Sequence, residues 1–334
     1  MIELHLAILP IILPLIAAPL CFILGRSQWC WLFSTLVSGL SCAASIGLLM
    51  TTLDQGVVSY AVGGWQAPWG IEIRIDVASA LILSLVSGIS TLVLIYANQS
   101  IAKEIDTEKH ALFYTAHLLC LTGLSGILST GDAFNLFVFL EISSLATYTL
   151  VSLSRDKRCL IAAFRYLIMG TIGATFILIG VGMLYMKTGT LNMLDLADKI
   201  AVIEGNRTLN TGLAFILIGV SIKLALFPLH MWLPPAYTHA PSAVSAFLAS
   251  TATKVAVYVM VRFIFSIFGA EYVFETMSMD IILLVLAIIA IFKCSFMATL
   301  QSNMKSMLAY SSVAQIGYMI LGISLATSAG LMAG

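Results

Sequence analysis

Charge is what this sequence has least of: of 334 residues only 10% are Asp, Glu, Lys or Arg, against 60% that are hydrophobic. A soluble core of this length needs no such apolar excess, so the composition excludes an ordinary water-soluble domain and indicates a polytopic membrane protein. The 16 basic and 16 acidic residues cancel, which removes any net-charge argument for nucleic acid or for an anionic surface as a partner. Six cysteines (Cys21, Cys30, Cys42, Cys120, Cys159, Cys294) are scattered in or beside apolar runs without CxxC spacing. They read as buried thiols rather than disulfides or metal ligands. The five histidines lack ligand spacing, and neither a glycine-rich phosphate loop nor a nucleophile motif is present. No metal, no cofactor and no redox chemistry of the chain's own is therefore expected. The first apolar run lacks a basic leader and is long enough to span, so a cleavable signal peptide is not expected.

What is present is a series of apolar spans of about 20 residues, the length that crosses a bilayer as a helix. Polar interruptions place them at 5–24, 30–52, 78–98, 111–130, 133–153, 160–186, 211–238, 241–266, 280–300 and 306–326. The fold class is thus all-α, with about ten transmembrane helices. Two stretches between spans carry their own patterns. In VVSYAVGGWQAPWGIEIRID, Val58, Tyr60 and Val62 alternate before Gly63-Gly64, and Ile71, Ile73 and Ile75 alternate after Pro68 and Gly70, which predicts an extramembrane hairpin. In 190–206, Leu191, Leu194, Leu196 and Ile200 predict a short surface helix. With the amino terminus outside, Arg26, Lys103, Lys109, Arg155, Lys157, Arg158 and Lys305 face the cytoplasm against Arg74, Lys187, Lys199 and Arg207 outside, the orientation that basic loops favour. Both termini and the loop tips at Asp54, Asp132 and Glu271 then lie outside.

The seventh span, GVSIKLALFPLHMWLPPAY over 219–237, is unlike the others. It buries Lys223 in an apolar run and interrupts itself at Pro228 and again at Pro234-Pro235. Proline removes a backbone donor and clashes one turn back, so a non-helical break is predicted between Leu226 and Pro235. Such backbone persists at membrane depth only where protein or water surrounds it. A lysine there costs roughly 2.5 kcal/mol or more and marks an ion or proton site; the plain alternative is a kinked packing helix whose lysine snorkels to one surface.

Four further residues are candidates to join it. Glu141, midway along NLFVFLEISSLATYTLV, has neighbours that cannot solvate a carboxylate. It either stays neutral by burial or pairs with Lys223, and the pairing is favoured because a buried charge needs an opposite partner. Lys254, in SAFLASTATKVAVYVMVRF, is the second buried lysine; it is a proton carrier or a lysine bonded to hydroxyls such as Thr251. Small residues Ala246, Ala249, Ser250 and Ala252 permit close helix approach there. His230 and His239 flank the prolines at positions where a histidine either relays protons or satisfies loose carbonyls. Lys293 reads as a snorkelling lysine, and Arg165, Arg262 and Lys305 as interfacial anchors.

Four segments, GGWQAPWGIEIRID, STGDAFNLFVFLEISSLATY, SIKLALFPLHMWLPPAYTHAPSAVSAFLASTATKV and NMKSMLAYSSVAQIGYMILG, together resemble the large antiporter-type subunits shared by Mrp monovalent cation/proton antiporters, membrane-bound hydrogenases and respiratory complex I. The first two look most similar to the D subunit of the Mrp antiporter and its hydrogenase counterparts. The resemblance implies that Glu141 is the fifth-helix acid, Lys223 the lysine of the broken seventh helix and Lys254 the eighth-helix proton carrier. It implies three N-terminal helices with the hairpin loop over 1–110, a complete five-helix repeat over 111–266, and an incomplete second repeat over 267–334. The family continues past the tenth helix into a second broken helix with its own lysine, so the chain, which stops at Gly334, is expected to be a C-terminally truncated member. Gln315 stands where many relatives carry a histidine.

The expected function is a proton-translocating subunit of a multisubunit monovalent cation (Na+)/proton antiporter in the cell's inner (plasma) membrane. Its partners are the other subunits, the bilayer, protons and monovalent cations. The relay runs through Glu141, Lys223, Lys254 and His230: Lys223 keeps its proton while an ionised Glu141 is near, and loses that support when they separate. The alternative is a proton-pumping membrane-arm subunit of a complex I-like NADH-quinone oxidoreductase or membrane-bound hydrogenase. A conventional solute transporter is disfavoured by the lack of a polar binding cluster beyond the charged path.

Overall fold

The computed structural model describes residues 5–25, 27–203 and 206–333. Arg26, counted among the cytoplasmic basic residues, and Glu204 and Gly205, near the end of the predicted surface helix, lie outside the described residues. Ten helices among the described residues are long and apolar enough to cross a membrane, in the ten places where apolar spans were expected. A 3₁₀ turn at Leu6–Ile8 leads into α1 (Leu9–Leu24), followed by α2 (Ser27–Gln55), α3 (Val77–Glu104), α4 (His110–Ser129), α5 (Ala133–Ser152) and α6 (Arg158–Thr188). A short amphipathic helix, α7 (Met193–Val202), precedes α8 (Arg207–Leu224). Beyond it come α9 (Leu233–His239), α10 (Ser242–Ser250), α11 (Ala252–Val261), α12 (Met279–Thr299), α13 (Met304–Ser324) and the short α14 (Ser328–Ala333).

The chain divides into two compact units, one of Met1–Leu167 with His239–Thr251, the other of Ile168–Thr238 with Ala252–Gly334. In the first, α1 packs on α2 and α4, α2 on α3, α4 on α5, and α10 on α3. A buried polar chain links three of these helices: Ser38 Oγ donates to Ser90 Oγ at 3.0 Å and also lies 3.0 Å from Thr91 Oγ1, while Ser90 Oγ meets His117 Nε2 at 2.9 Å. Hydroxyls inside a membrane must find partners across helices, because the bilayer offers none. Where α4 crosses α5 the backbones nearly touch: a Cβ on Gly123 would meet the Ser143 amide at 2.5 Å, and one on Gly126 would enter the Phe139 ring at 2.2 Å.

The predicted hairpin is present as β1 (Val58–Ala61) and β2 (Glu72–Ile75), antiparallel with Val58 opposite Ile75 and Tyr60 opposite Ile73. Gly63 and Gly64 take positive φ at the turn, which suits residues without a Cβ. The hairpin docks onto the α4–α5 connection, where the Gly131 amide donates to the Glu72 carbonyl at 2.8 Å. Asp132, at the tip of that connection, is a buried N-cap whose carboxylate accepts the Asn135 amide at 2.7 Å. Burial pushes the Asp132 carboxyl up, with the Asn135 and Phe134 amides pulling the other way.

At the other end of this unit lie Lys103, Lys109, Arg155 and Arg158, four of the basic residues expected on one side. Arg155 donates to Asp106 at 3.1 Å and to the Lys103 and Ile105 carbonyls, Lys109 reaches Asp106 at 2.9 Å, and Arg158 and His239 both bond Asp156. Lys109, and after it Arg155, hold the Asp106 carboxyl below its usual range. Glu104 accepts the Ser242 amide at 2.8 Å and its hydroxyl at 3.1 Å, a carboxylate at the N-terminus of α10 where the helix dipole favours it.

In the second unit α12 packs along α13, and α11 packs on both α8 and α13. The surface helix α7 is capped by Asn192, whose side chain accepts the Leu194 and Asp195 amides. It buries Leu196 and Ile200 but leaves Leu194 exposed, so only part of the expected apolar face is used. α11 runs into a π-helical turn, Arg262–Ile267, and a second one follows at Tyr272–Thr276, where Tyr272 Oη donates to Asn210 Oδ1.

Candidate functional site

The broken helix is the centre of the site, and its geometry corrects the account given by the prolines alone. α8 stops at Leu224, and Ala225 adopts a left-handed conformation (φ 61°). The Ala225 amide returns to the Ile222 carbonyl at 3.2 Å and the Leu226 amide to the Ser221 carbonyl at 2.9 Å. This is the Schellman pattern of helix termination, with Ala where glycine is usual. The helix therefore ends before Pro228 is reached. Pro234 and Pro235 interrupt nothing: they occupy the first turn of α9, where amides lack intrahelical partners anyway and proline is tolerated. The irregular backbone runs over 225–232, slightly earlier than the expected break from Leu226 to Pro235.

Several polar groups of the break are bonded within it or back to α8. Leu229 N–H donates to the Leu226 carbonyl at 2.7 Å, Leu233 N–H to the His230 carbonyl at 3.0 Å, and the Trp232 indole N–H reaches back to the Ile222 carbonyl at 2.9 Å. Lys223 sits in the last turn of α8 and is half-buried. The carbonyl end of a helix favours a cation there by about 0.3–2 kcal/mol. His230 is buried in the break, packed on the Phe227 ring at 5.4 Å, and its Nδ1 has no hydrogen-bond partner within the protein.

Because Ala225 pays for its left-handed backbone with a Cβ clash, Ala225→Gly is expected to stabilise the protein by about 0.5–1 kcal/mol, and Ala225→Val to destabilise it by at least as much. The midpoint of thermal unfolding in detergent measures both. A lower midpoint for the glycine variant would show that the terminating geometry is not what holds α8 short.

Lys254 lies on α11, third after a discontinuity that carries no proline. α10 ends at Ser250, Thr251 departs from helical geometry (φ −121°, ψ −60°), and its hydroxyl donates to the Phe247 carbonyl at 2.6 Å. Lys254 is half-buried, with Nζ 3.4 Å from Thr253 Oγ1. The helices that carry the two lysines, α8 and α11, pack on each other. Of the small residues expected to allow this approach, Ala246, Ala249 and Ser250 belong to α10, which packs on α3 and α5.

Glu141 lies in the first unit, near the middle of α5 and half-buried. Phe139 and Ser143 abut α4 through Gly126 and Gly123. A helix turns about 100° per residue, so Glu141, two positions from each, projects to the side away from α4. The second unit thus brings Lys223, His230 and Lys254 onto packed or adjoining elements, and the first holds Glu141.

Several participants escaped sequence reasoning. Thr251 carries no breaker signal; its helix-ending role shows only in the backbone. Lys293, expected to snorkel, has its ammonium over the Phe227 ring of the break, 4.7 Å from the centroid. His239, weighed as a relay, is tied at the surface to Asp156 at 3.2 Å.

Known proteins share this architecture. The chain is 41% identical over 329 residues to the N subunit of NADH-quinone oxidoreductase from Desulforudis audaxviator, covering 96% of the chain and 64% of that protein. It is 32% identical over 327 residues to the D subunit of the Na(+)/H(+) antiporter from Alkalihalophilus pseudofirmus, covering 97% and 64%. A chain of the membrane-bound sulfane sulfur reductase, an archaeal respiratory membrane complex, superposes with a TM-score of 0.87 at 29% identity over 96% of this chain and 65% of that one. The chain thus spans just under two thirds of the length of these relatives. Residues 130–334, which contain Glu141, the broken helix and the lysines Lys223, Lys254 and Lys293, match the model of one family along their whole length, and on that match and these identities the chain belongs to the NADH:quinone oxidoreductase/Mrp antiporter transmembrane family.

Proposed function

We propose that the chain is the proton-translocating subunit of a multisubunit monovalent cation (Na+)/proton antiporter of the Mrp type. In this reading protons pass through Glu141, Lys223, His230 and Lys254, the segment 111–266 acts as a five-helix relay repeat, and the complex sits in the cell's inner (plasma) membrane. The observation that carries the reading is the broken membrane helix, with Lys223 in its last turn, a buried histidine in the break and Lys254 on the helix packed against it. Such a site suits proton transfer because a lysine amine gives and takes a proton without any bond rearrangement elsewhere. Glu141 supplies the acidic member of the relay, since a buried cationic carrier requires an opposite charge.

One observation favours a second reading, in which the same relay is driven by redox chemistry in a partner: the 41% identity to the N subunit of an NADH-quinone oxidoreductase exceeds the 32% identity to the D subunit of an antiporter. The chain in this case is the proton-pumping arm of a complex I-like enzyme or membrane-bound hydrogenase, and the redox centres belong to other subunits.

Inverted vesicles made with the chain and its complete partner set, loaded with a pH-sensitive dye, test both. A proton signal on imposing a Na+ gradient is the expected result. A signal that appears only with a reductant transfers the relay to the second reading. Lack of proton movement under either drive, with every subunit present in the membrane, would overturn proton translocation itself.

A further inference from the structure

We propose that Lys293 is an additional proton-carrying residue, exchanging a proton with His230 beside the Phe227 ring of the helix break. The inference rests on proton translocation as the chain's activity and extends it to a residue outside the four already assigned.

Lys293 lies in IILLVLAIIAIFKCSFMAT, six residues short of the end of α12 at Thr299. At 1.5 Å per residue that is about 9 Å of helix, and an ammonium held there costs roughly 2.5–3.5 kcal/mol unless something compensates. The compensation visible is aromatic: the ammonium stands 4.7 Å from the centre of the Phe227 ring, a cation–π contact worth about 0.5–2 kcal/mol. The same ring packs against His230 at 5.4 Å and 36°. The imidazole is 3% exposed, and its Nδ1 is without a partner within the protein. A buried histidine nitrogen with no partner is costly, and the imidazole and the ammonium contact the same aromatic ring.

The chemistry balances within these groups. An Nζ–H bond of Lys293 breaks as Nδ1–H of His230 forms, through one intervening water or a swing of the lysine off the ring; the lysine is left a neutral amine and the imidazole an imidazolium. Like charges gathered at one ring repel, so the arrival of a proton at one site favours its loss from the other, the behaviour a relay step requires. His230 and Phe227 both belong to the irregular backbone over 225–232, outside a continuous helix. Lys293 is itself exposed on the surface of its unit, whereas its neighbour Cys294 is buried, so it can also exchange with a further carrier or with water.

The test separates a proton carrier from a cation that merely fastens α12 to the break. In vesicles containing the full complex, Lys293→Met and Lys293→Arg are both expected to lower driven proton movement at least tenfold at unchanged abundance. Arginine keeps the charge and the ring stacking but does not release its proton. Lys293→Cys, assembled first and then modified on the same membranes, removes folding from the comparison. Aminoethyl methanethiosulfonate, which restores a titratable amine, is expected to recover most of the activity, and its trimethylammonium counterpart, a fixed charge, none. Normal activity in Lys293→Arg, or equal rescue by both reagents, would overturn the proposal. Lys223→Met and Lys254→Met are run alongside: if they block and the Lys293 variants do not, this inference fails alone, and if none blocks, proton translocation through the site fails with it.

Discussion

Lys223→Arg and Lys254→Arg should each stop proton movement while leaving the complex assembled, and Lys→Met at either position should do the same. Positioned proton-transfer groups contribute about 10²–10⁴-fold, so a loss of at least about a hundredfold is expected for each. The two substitutions separate proton from charge. Methionine keeps length and apolarity and deletes the titratable group; arginine keeps the charge and never gives up its proton at accessible pH. At Lys223 the arginine should even assemble well, since the carbonyl end of α8 still favours a cation. A lysine present only to cap that helix end, or at Lys254 only to bond Thr253, would be replaced by arginine with little loss. The measurement is gradient-driven proton uptake in vesicles carrying the full partner set, with membrane abundance determined by immunoblot. Uptake near wild type in both arginine variants at normal abundance would sink the relay and leave two structural cations.

The ten spans were legible because nothing in the bilayer competes with hydrophobicity: an apolar run of about 20 residues has few alternatives to a helix. The hairpin was equally plain, since period-two alternation on either side of Gly63-Gly64 has one simple solution. The break itself was visible from Pro228, but its start was not. Ala225 is left-handed against the preference of any residue with a side chain, and the choice is made by the carbonyls of Ser221 and Ile222 and by the Trp232 indole that returns ten residues along the chain. Local preference cannot forecast such an arrangement. For the same reason Pro234-Pro235 looked like a second interruption: proline signals either a helix interior that is broken or a first turn that is begun, and the two are distinguished only by where the preceding element stops.

Side-chain roles divided along similar lines. Lys223 and Lys254 stood out because a charge in an apolar run carries information by itself. Lys293 looked ordinary by its distance from a helix end, and its significance came from Phe227, far earlier in the chain. His117 gave no signal at all, although Ser38, Ser90 and Thr91 form a polar chain leading to it; scattered serines in membrane helices look alike whether or not they meet.

Gly219→Leu should have the largest structural effect of any single substitution in the second unit. Gly173 and Gly180 on α6, and Gly212 and Gly219 on α8, are each seven residues apart, and they face one another in antiparallel order. A Cβ added at Gly219 would stand 2.5 Å from the Gly173 carbonyl oxygen and 2.7 Å from Ile177, and one at Gly180 would stand 2.5 Å from Ile216 and 2.6 Å from the Gly212 carbonyl oxygen. Two helices pressed backbone to backbone gain dispersion and Cα–H···O contacts that larger residues forbid. Since the obstructing atoms include the backbone, the helices must separate to admit a side chain. Overpacking by one or two methylenes costs about 1–3 kcal/mol, so Gly219→Ala is expected within that range and Gly219→Leu above it, enough to unfold a marginal protein. Gly219 also lies one turn before Lys223, so the same contact that fixes α8 against α6 fixes where the lysine stands. Gly182→Leu supplies the control, because nothing lies within 4 Å of a Cβ at that position on α6. Size-exclusion profiles and thermal midpoints of the detergent-extracted protein provide the readout. Gly182→Leu should match wild type, Gly219→Ala should lose several degrees, and Gly219→Leu should lose most of its monodisperse peak; a wild-type profile for Gly219→Leu would mean that α6 and α8 do not meet at these glycines.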